Sequence, residues 1–126
     1  MKLKKFEGNP ILSPLDSNDW ESLVTCNPGV VYDNGTFYML YRAAGNDAEH
    51  VIRLGLATSK DGCHFERVSD VPVFGPSEDG PDSGCVEDPR IVKYDTEYYI
   101  TYAYRPYAPG QYWNFSHDEV LLPDCG

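Results

Sequence analysis

The sequence predicts an all-β fold, and three observations carry that prediction. First, the chain repeats itself. Asn27 to Gly45 (NPGVVYDNGTFYMLYRAAG) aligns without a gap on Asp88 to Pro106 (DPRIVKYDTEYYITYAYRP), at an offset of 61. Pro28 falls on Pro89, Tyr38 on Tyr99 and Tyr41 on Tyr102, while apolar Val30, Val31, Phe37 and Met39 fall on Ile91, Val92, Tyr98 and Ile100. Second, each copy is dense in β-branched and aromatic residues, which suit a pleated, half-buried surface. Third, no segment has the apolar spacing of an amphipathic helix. A repeat of this size with strand content suggests stacked β units of the kind seen in propeller blades.

Taken in order, Met1 to Leu15 is expected to be an extended arm, because Pro10 and Pro14 exclude a helix. Asp16 to Leu23 has room for a single turn around Trp20. Val30 to Tyr32 reads as a short strand, and Asp33-Asn34-Gly35 as a tight turn, since Asn and Gly tolerate the positive φ of a hairpin. Thr36 to Arg42 is the return strand, Ala43 to His50 a polar loop and Val51 to Thr58 a third strand. After a turn at Ser59 to Gly62, His64 to Val68 reads as an outer fourth strand. The second unit starts with Asp88 to Val92, turns at Asp95 and returns along Glu97 to Tyr104. Pro106, Pro109 and Gly110 then break the pattern. The expected division is an arm (1–24), a first repeat (25–71), a connector rich in Pro, Gly and acid (72–86), a second repeat (87–113) and a loop (114–126), all within one propeller domain.

Length and composition narrow the function. The chain has 126 residues, and two blade-like units do not close a propeller, which takes about four to eight. The expectation is the front end of a longer protein, or a chain that assembles with itself through unpaired strand edges as a homo-oligomer. Twenty acidic against ten basic residues give a net charge of -10, which disfavours nucleic acid and anionic membranes as partners. The sequence has neither a secretory signal nor a run of about 18 apolar residues, so a cytoplasmic location with reduced thiols is expected. Cys26, Cys63, Cys85 and Cys125 lack metal-site spacing, and Glu78 to Asp82 lacks the spacing of a calcium loop. No metal and no cofactor is expected. Ten Tyr, five Phe and two Trp on an acidic chain suit sugar binding, although strand packing accounts for most of them.

Val86-Glu87-Asp88-Pro89-Arg90 is the sharpest motif. Pro89 is expected to hold Asp88 extended, because the residue before proline avoids the helical region. A fixed carboxylate at a strand mouth is what a general acid or base needs. Glu87 and Asp88 are adjacent and would point to opposite sides of an extended chain, which argues against a paired couple. Of the two carboxylates Asp88 is favoured because its repeat mate is Asn27: an amide at one position and a carboxylate at its equivalent point to a polar site where the repeats converge. The plain alternative is a structural Asp binding loop amides. Arg42 ends an otherwise apolar strand and needs a partner or ligand. It suits sugar hydroxyls, or a salt bridge to Asp88 or Glu87. Arg90 and Arg105 are further candidates for the same roles. Ser59 to Phe65 reads as a structural turn capped by Asp61, with Phe65 packing between sheets. His50, His64 and His117 show no triad arrangement, Ser83-Gly84 is not a nucleophile elbow, and there is no glycine-rich phosphate loop.

These segments together resemble a known family. NPILSP, NPGVVYDNGTFYMLYRA, LGLATSKDGCHFER and VEDPRIVKYDTEYYITYAY look like the N-terminal portion of glycoside hydrolase family 130, from roughly Phe6 to Trp113. The resemblance implies a five-bladed β-propeller of which this chain covers about the first two blades. It implies an inverting phosphorylase that acts on β-mannosides with inorganic phosphate and releases α-mannose 1-phosphate. The alternatives are a β-1,2-mannoside hydrolase of the same family and a non-catalytic sugar-binding or assembly fragment. Asp88 matches the family's catalytic acid, and Asn27 and Arg42 match residues that hold the mannosyl unit. Glu49 and His50 match a region that contacts the leaving sugar. The family's phosphate ligands lie in later blades, so the 126-residue chain alone is expected to be inactive. The acid would need a carboxyl raised by burial, and a neighbouring Arg would oppose that shift.

Overall fold

The computed structural model describes residues 1–112; the expected loop 114–126, with His117 and Cys125, lies outside the described residues. The architecture is all-β. Strands β1 (Val24–Asp33), β2 (Thr36–Ala44), β3 (Arg53–Ser59) and β4 (Glu66–Arg67) form one antiparallel sheet in sequence order. Strands β5 (Cys85–Tyr94) and β6 (Glu97–Arg105) form a second antiparallel sheet. A 3₁₀ turn at Asp19–Glu21 precedes β1, and a short helix, α1 (Pro109–Tyr112), follows β6. Among the described residues no helix is long and apolar enough to cross a membrane.

The repeat is visible in the backbone. The β1–β2 turn places Asn34 at φ 46° and Gly35 at φ 77°, and the β5–β6 turn places Asp95, the repeat mate of Asn34, at φ 55°. Both first strands start earlier than their composition indicates, at Val24 in place of Val30 and at Cys85 in place of Asp88. The reason is proline. Pro28 and Pro89 lack the N–H that a ladder requires, so each strand forms a bulge around its proline and resumes pairing beyond it. The register shifts between Cys26 and Gly29 in β1, and between Glu87 and Arg90 in β5.

Strand β2 alternates faces as its pattern requires. Met39, Tyr41 and Ala43 are buried with Ala57, and Leu12, Trp20 and Phe65 pack against them. Tyr41 lies opposite Gly55 of β3, where a Cβ would come within 2.2 Å of the tyrosine ring, so only glycine fits. The repeat mates of Met39, Tyr41 and Ala43 are Ile100, Tyr102 and Tyr104. They are 47%, 37% and 53% exposed, against 2%, 2% and 0%. Among the described residues, β6 has no strand beside it where β2 has β3. A second cluster of Ala44, Ile52 and Cys85 joins the sheets, and the Val86 amide donates to the Ile52 carbonyl at 3.2 Å.

Composition did not single out the charged group at the centre of the first sheet. Glu21, at the end of the 3₁₀ turn, is fully buried. Its carboxylate accepts from Asn18 Nδ2 (2.7 Å), Tyr41 Oη (3.1 Å), Arg67 Nε (2.8 Å) and Arg67 Nη2 (3.0 Å). Burial and the Glu21 charge push the Tyr41 phenol up, so it stays a neutral donor. This network clamps the N-terminal arm, β2 and β4 together.

Candidate active site

The two proline bulges face each other. Asn27 (φ 45°) and Asp88 (φ 54°) both take the left-handed conformation, which Asn and Asp tolerate better than most residues. Their approach depends on Gly29, because a Cβ there would sit 2.6 Å from the Pro89 carbonyl oxygen. Asp88 is therefore not extended. The residue before proline avoids the right-handed helical region, but that rule leaves the left-handed region open, and the bulge uses it.

This backbone brings the two repeat mates into direct contact. Asn27 Nδ2 donates to Asp88 Oδ1 at 2.8 Å, and Arg42 Nη1 donates to the same oxygen at 3.0 Å. Among the described residues Asp88 Oδ2 accepts no hydrogen bond, and the side chain is 38% exposed. The Asn27 amide and the Arg42 guanidinium hold the Asp88 carboxyl below the usual carboxylate range, with partial burial opposing them. The free site thus presents a carboxylate, not the raised carboxyl that an acid in an apolar pocket would show.

Glu87 also turns toward Arg42. Its Oε2 lies 2.7 Å from Arg42 Nη1, and its Oε1 lies 2.9 Å from Arg105 Nε. The expected opposition of Glu87 and Asp88 across an extended strand does not occur, because the bulge rotates the chain between them and one guanidinium meets both carboxylates. Glu87 is paired in register with Ala103 of β6, the repeat mate of Arg42. The small side chain at that position is the one sequence signal for this arrangement: the first repeat carries an arginine where the second does not.

The other candidate residues are placed differently. Arg90 is exposed and donates to the Pro89 carbonyl at 2.8 Å, so it lends Asp88 charge without bonding its carboxylate. Glu49 and His50 sit in a loop organised by Asp47, whose Oδ1 accepts from both of their amides at 2.9 and 2.8 Å. The His50 ring contacts the Gly45 carbonyl through Nδ1 at 3.0 Å. Glu49 lines a polar cleft of about 570 Å³ with Arg53, Glu78, Ser83 and Tyr107. Cys26, opposite Arg42 in register, has its thiol pushed up by burial, which makes it a poor nucleophile. Asp61 accepts from the amides of Cys63 and His64 and from Ser59 Oγ. Because Ser59 bonds Asp61 and not His64, those three residues form a capped turn and not a catalytic triad.

Comparison with known proteins adds the following. The family model of glycoside hydrolase family 130, described as beta-1,4-mannooligosaccharide phosphorylase, matches residues 2–116. The chain is 40% identical over 107 residues to a 1,2-beta-oligomannan phosphorylase of Thermoanaerobacter sp. (strain X514), covering 81% of this chain and 36% of that protein. It is 36% identical over 112 residues to a beta-1,2-mannobiose phosphorylase of the same strain, covering 80% of this chain and again 36% of the relative. The chain thus spans little more than a third of the curated relatives it matches. A glycosyl hydrolase structure from Bacteroides ovatus superposes with a TM-score of 0.67 at 35% identity, over 76% of this chain and 32% of that one. Another structure comes from work on GH130 glycoside hydrolases that target beta-1,2 mannosidic linkages in Candida mannan. It superposes with a TM-score of 0.69 at 33% identity, over 79% of this chain and 33% of that one.

Proposed function

The chain belongs to glycoside hydrolase family 130, and from that premise we propose that it carries the acid half of an inverting β-mannoside phosphorylase. Its two sheets are the first two blades of a five-bladed propeller, and later blades supply the phosphate ligands. The observation that supports this reading most is the one-sided grip on Asp88. Both donors hold Oδ1, which leaves Oδ2 clear of hydrogen bonds among the described residues. Asn27 and Arg42 would hold the mannosyl unit beside it. In the reaction the proton leaves Asp88 Oδ2 and reaches the bridging oxygen, relayed by a sugar hydroxyl. The glycosidic C–O bond breaks, its electron pair stays with the departing oxygen, and a phosphate oxygen bonds the anomeric carbon from the opposite face. The product is α-mannose 1-phosphate.

A phosphorylase needs one carboxyl group because phosphate is already an anionic nucleophile, whereas an inverting hydrolase needs a second carboxylate to activate water. Glu87, the neighbouring carboxylate, is buried and paired with two arginines, which does not suit it to take a proton from an attacking water. That favours phosphorolysis over hydrolysis.

The test uses the full-length polypeptide with β-1,2-mannobiose and β-1,4-mannobiose, with and without phosphate. Mannose 1-phosphate is expected only when phosphate is present, and Asp88→Asn should lower the rate by about 10²–10⁴-fold with the fold intact. Mannose release at an equal rate without phosphate, or an Asp88→Asn variant with most of its activity, overturns the proposal.

A further inference from the structure

Glu87 has no part in the chemistry described so far, yet it meets Arg42, one of the two groups that hold Asp88. Its side chain is 5% exposed and lies between guanidinium groups from two sheets, Arg42 of β2 and Arg105 of β6. Arg42 Nη1 is shared between the two acids. It makes an aligned hydrogen bond to Asp88 Oδ1 at 3.0 Å and an ionic contact to Glu87 Oε2 at 2.7 Å. That contact is not aligned as a hydrogen bond, and Glu87 Oε2 is a buried acceptor with no donor among the described residues. Buried acceptors in native folds are nearly always satisfied. Here the nearest donor nitrogen is committed to Asp88.

The arrangement has two settings. With Asp88 ionised, Nη1 donates to Asp88. Once Asp88 takes a proton, its pull on the guanidinium would weaken, and a small rotation would carry the hydrogen bond to Glu87 Oε2. Arg42 then keeps an anionic partner in both protonation states of Asp88. Without the Glu87 charge, Arg42 would have Asp88 alone and would hold it ionised. We propose that Glu87 is a positioning residue, a standing counter-ion that takes over Arg42 when Asp88 is protonated and so allows Asp88 to serve as an acid. The inference rests on the reading of Asp88 as the acid.

The groups that face Asp88 are Asn27 and Cys26 from β1, Arg42 from β2, and Glu87 and Arg90 from β5, with Arg105 of β6 behind Glu87. Cys26 is a neutral thiol, so Glu87 is the anion in this set. The signs follow. Removing the Glu87 charge favours ionised Asp88, and removing the Arg105 charge leaves Glu87 less compensated and favours protonated Asp88.

Two measurements on the full-length polypeptide test this: the pH profile of kcat for phosphorolysis of β-1,2-mannobiose, and the carboxyl ¹³C titration of Asp88 in the free protein. Glu87→Gln should move the basic limb of kcat and the Asp88 titration to lower pH by about one unit. At pH 7 kcat should then fall roughly tenfold, with KM changed less than about twofold. Glu87→Asp, which keeps the charge, should return the limb toward wild type. Arg105→Gln, which alters a half-exposed side chain and should leave folding intact, should move the limb the other way. If Glu87→Gln and Glu87→Asp lower activity equally and neither limb nor titration moves, Glu87 is packing alone and the proposal is overturned. An Arg105→Gln shift in the same direction as Glu87→Gln also overturns it. Should the wild type show no phosphorolysis at all, the functional reading fails, while the Asp88 titration still decides the role of Glu87.

Discussion

Replacing Arg67 with methionine should cost the fold more than any surface ion pair could. Glu21 is fully buried, and among the described residues its carboxylate has four donors, of which Arg67 provides two and the only positive charge. The Arg67 side chain is itself only 18% exposed, so solvent screens the pair little. Arg67→Met leaves a buried carboxylate with the neutral Asn18 amide and Tyr41 phenol. Breaking a buried pair from one side costs about 3–5 kcal/mol, because the remaining charge is uncompensated. That is a large fraction of the roughly 5–15 kcal/mol by which a domain is stable. The double variant Glu21→Gln, Arg67→Met removes the orphaned charge and should recover at least about half of the loss. Urea unfolding followed by fluorescence suits the test, since Trp20 is stacked on Tyr41 at a centroid distance of 6.1 Å. A cost under about 1 kcal/mol for Arg67→Met, typical of an exposed pair, would refute the reasoning. So would a double variant no more stable than the single one. The outcome bears on the site as well, because Tyr41 precedes Arg42 in β2, and the clamp on one side chain fixes the strand that aims the other.

Gly29→Ala would set a Cβ 2.6 Å from the Pro89 carbonyl oxygen and push the two bulges apart. With Asp88 displaced from Asn27, kcat/KM of the full-length polypeptide should fall about 100-fold while circular dichroism is unchanged, since a misplacement near 1 Å costs that much. The Asp33 carboxyl lies below its ordinary value of 3.8, through a hydrogen bond from Lys93 and then one from Tyr98. The Tyr98 phenol is pushed up to about 12, chiefly by that bond to Asp33. Both signs follow by linkage. Asp33 adds stability above pH 3.8 that is lost as pH falls through its lowered value. Tyr98 adds stability below pH 10 that is lost as pH rises through about 12. Asp33→Asn should flatten the acid loss seen in thermal melts and return the phenol titration, read by ultraviolet absorbance, toward 10.

The strands were legible because each signal was local. Asn34-Gly35 and Asp95 sit at positive φ where the turn chemistry places them, and the aromatic runs Thr36–Ala44 and Glu97–Arg105 are the return strands. The bulges were not legible, because the rule for a residue before proline excludes one region of backbone space and does not choose among the others. That choice came from a long-range fact, the close approach of Gly29 to Pro89. Glu21 was hidden for a similar reason. An acid in a polar segment reads as surface, and its partners Tyr41 and Arg67 lie 20 and 46 residues away. The candidate site shows the same division. Asn27, Arg42 and Asp88 stood out because they break the repeat or the strand pattern, while the burial of Glu87 depends on Arg42 arriving from another sheet.

The repeat also explains why the two bulges carry different side chains. Their polar tips are 2.8 Å apart, closer than two ionised carboxylates tolerate. An aspartate at position 27 would therefore force the pair to share a proton, and the site would hold a coupled dyad with two apparent titrations. An amide at position 27 avoids this and supplies a donor. That donor, with Arg42, fixes Asp88 by one oxygen and leaves the other without a hydrogen bond among the described residues. Two like backbones with unlike side chains thus yield a single oriented carboxyl group whose proton affinity is governed by its neighbours. On the proposed reading of Asp88 as an acid working without a partner base, one oriented carboxyl group is what the reaction needs, and a symmetric pair of bulges would not provide it.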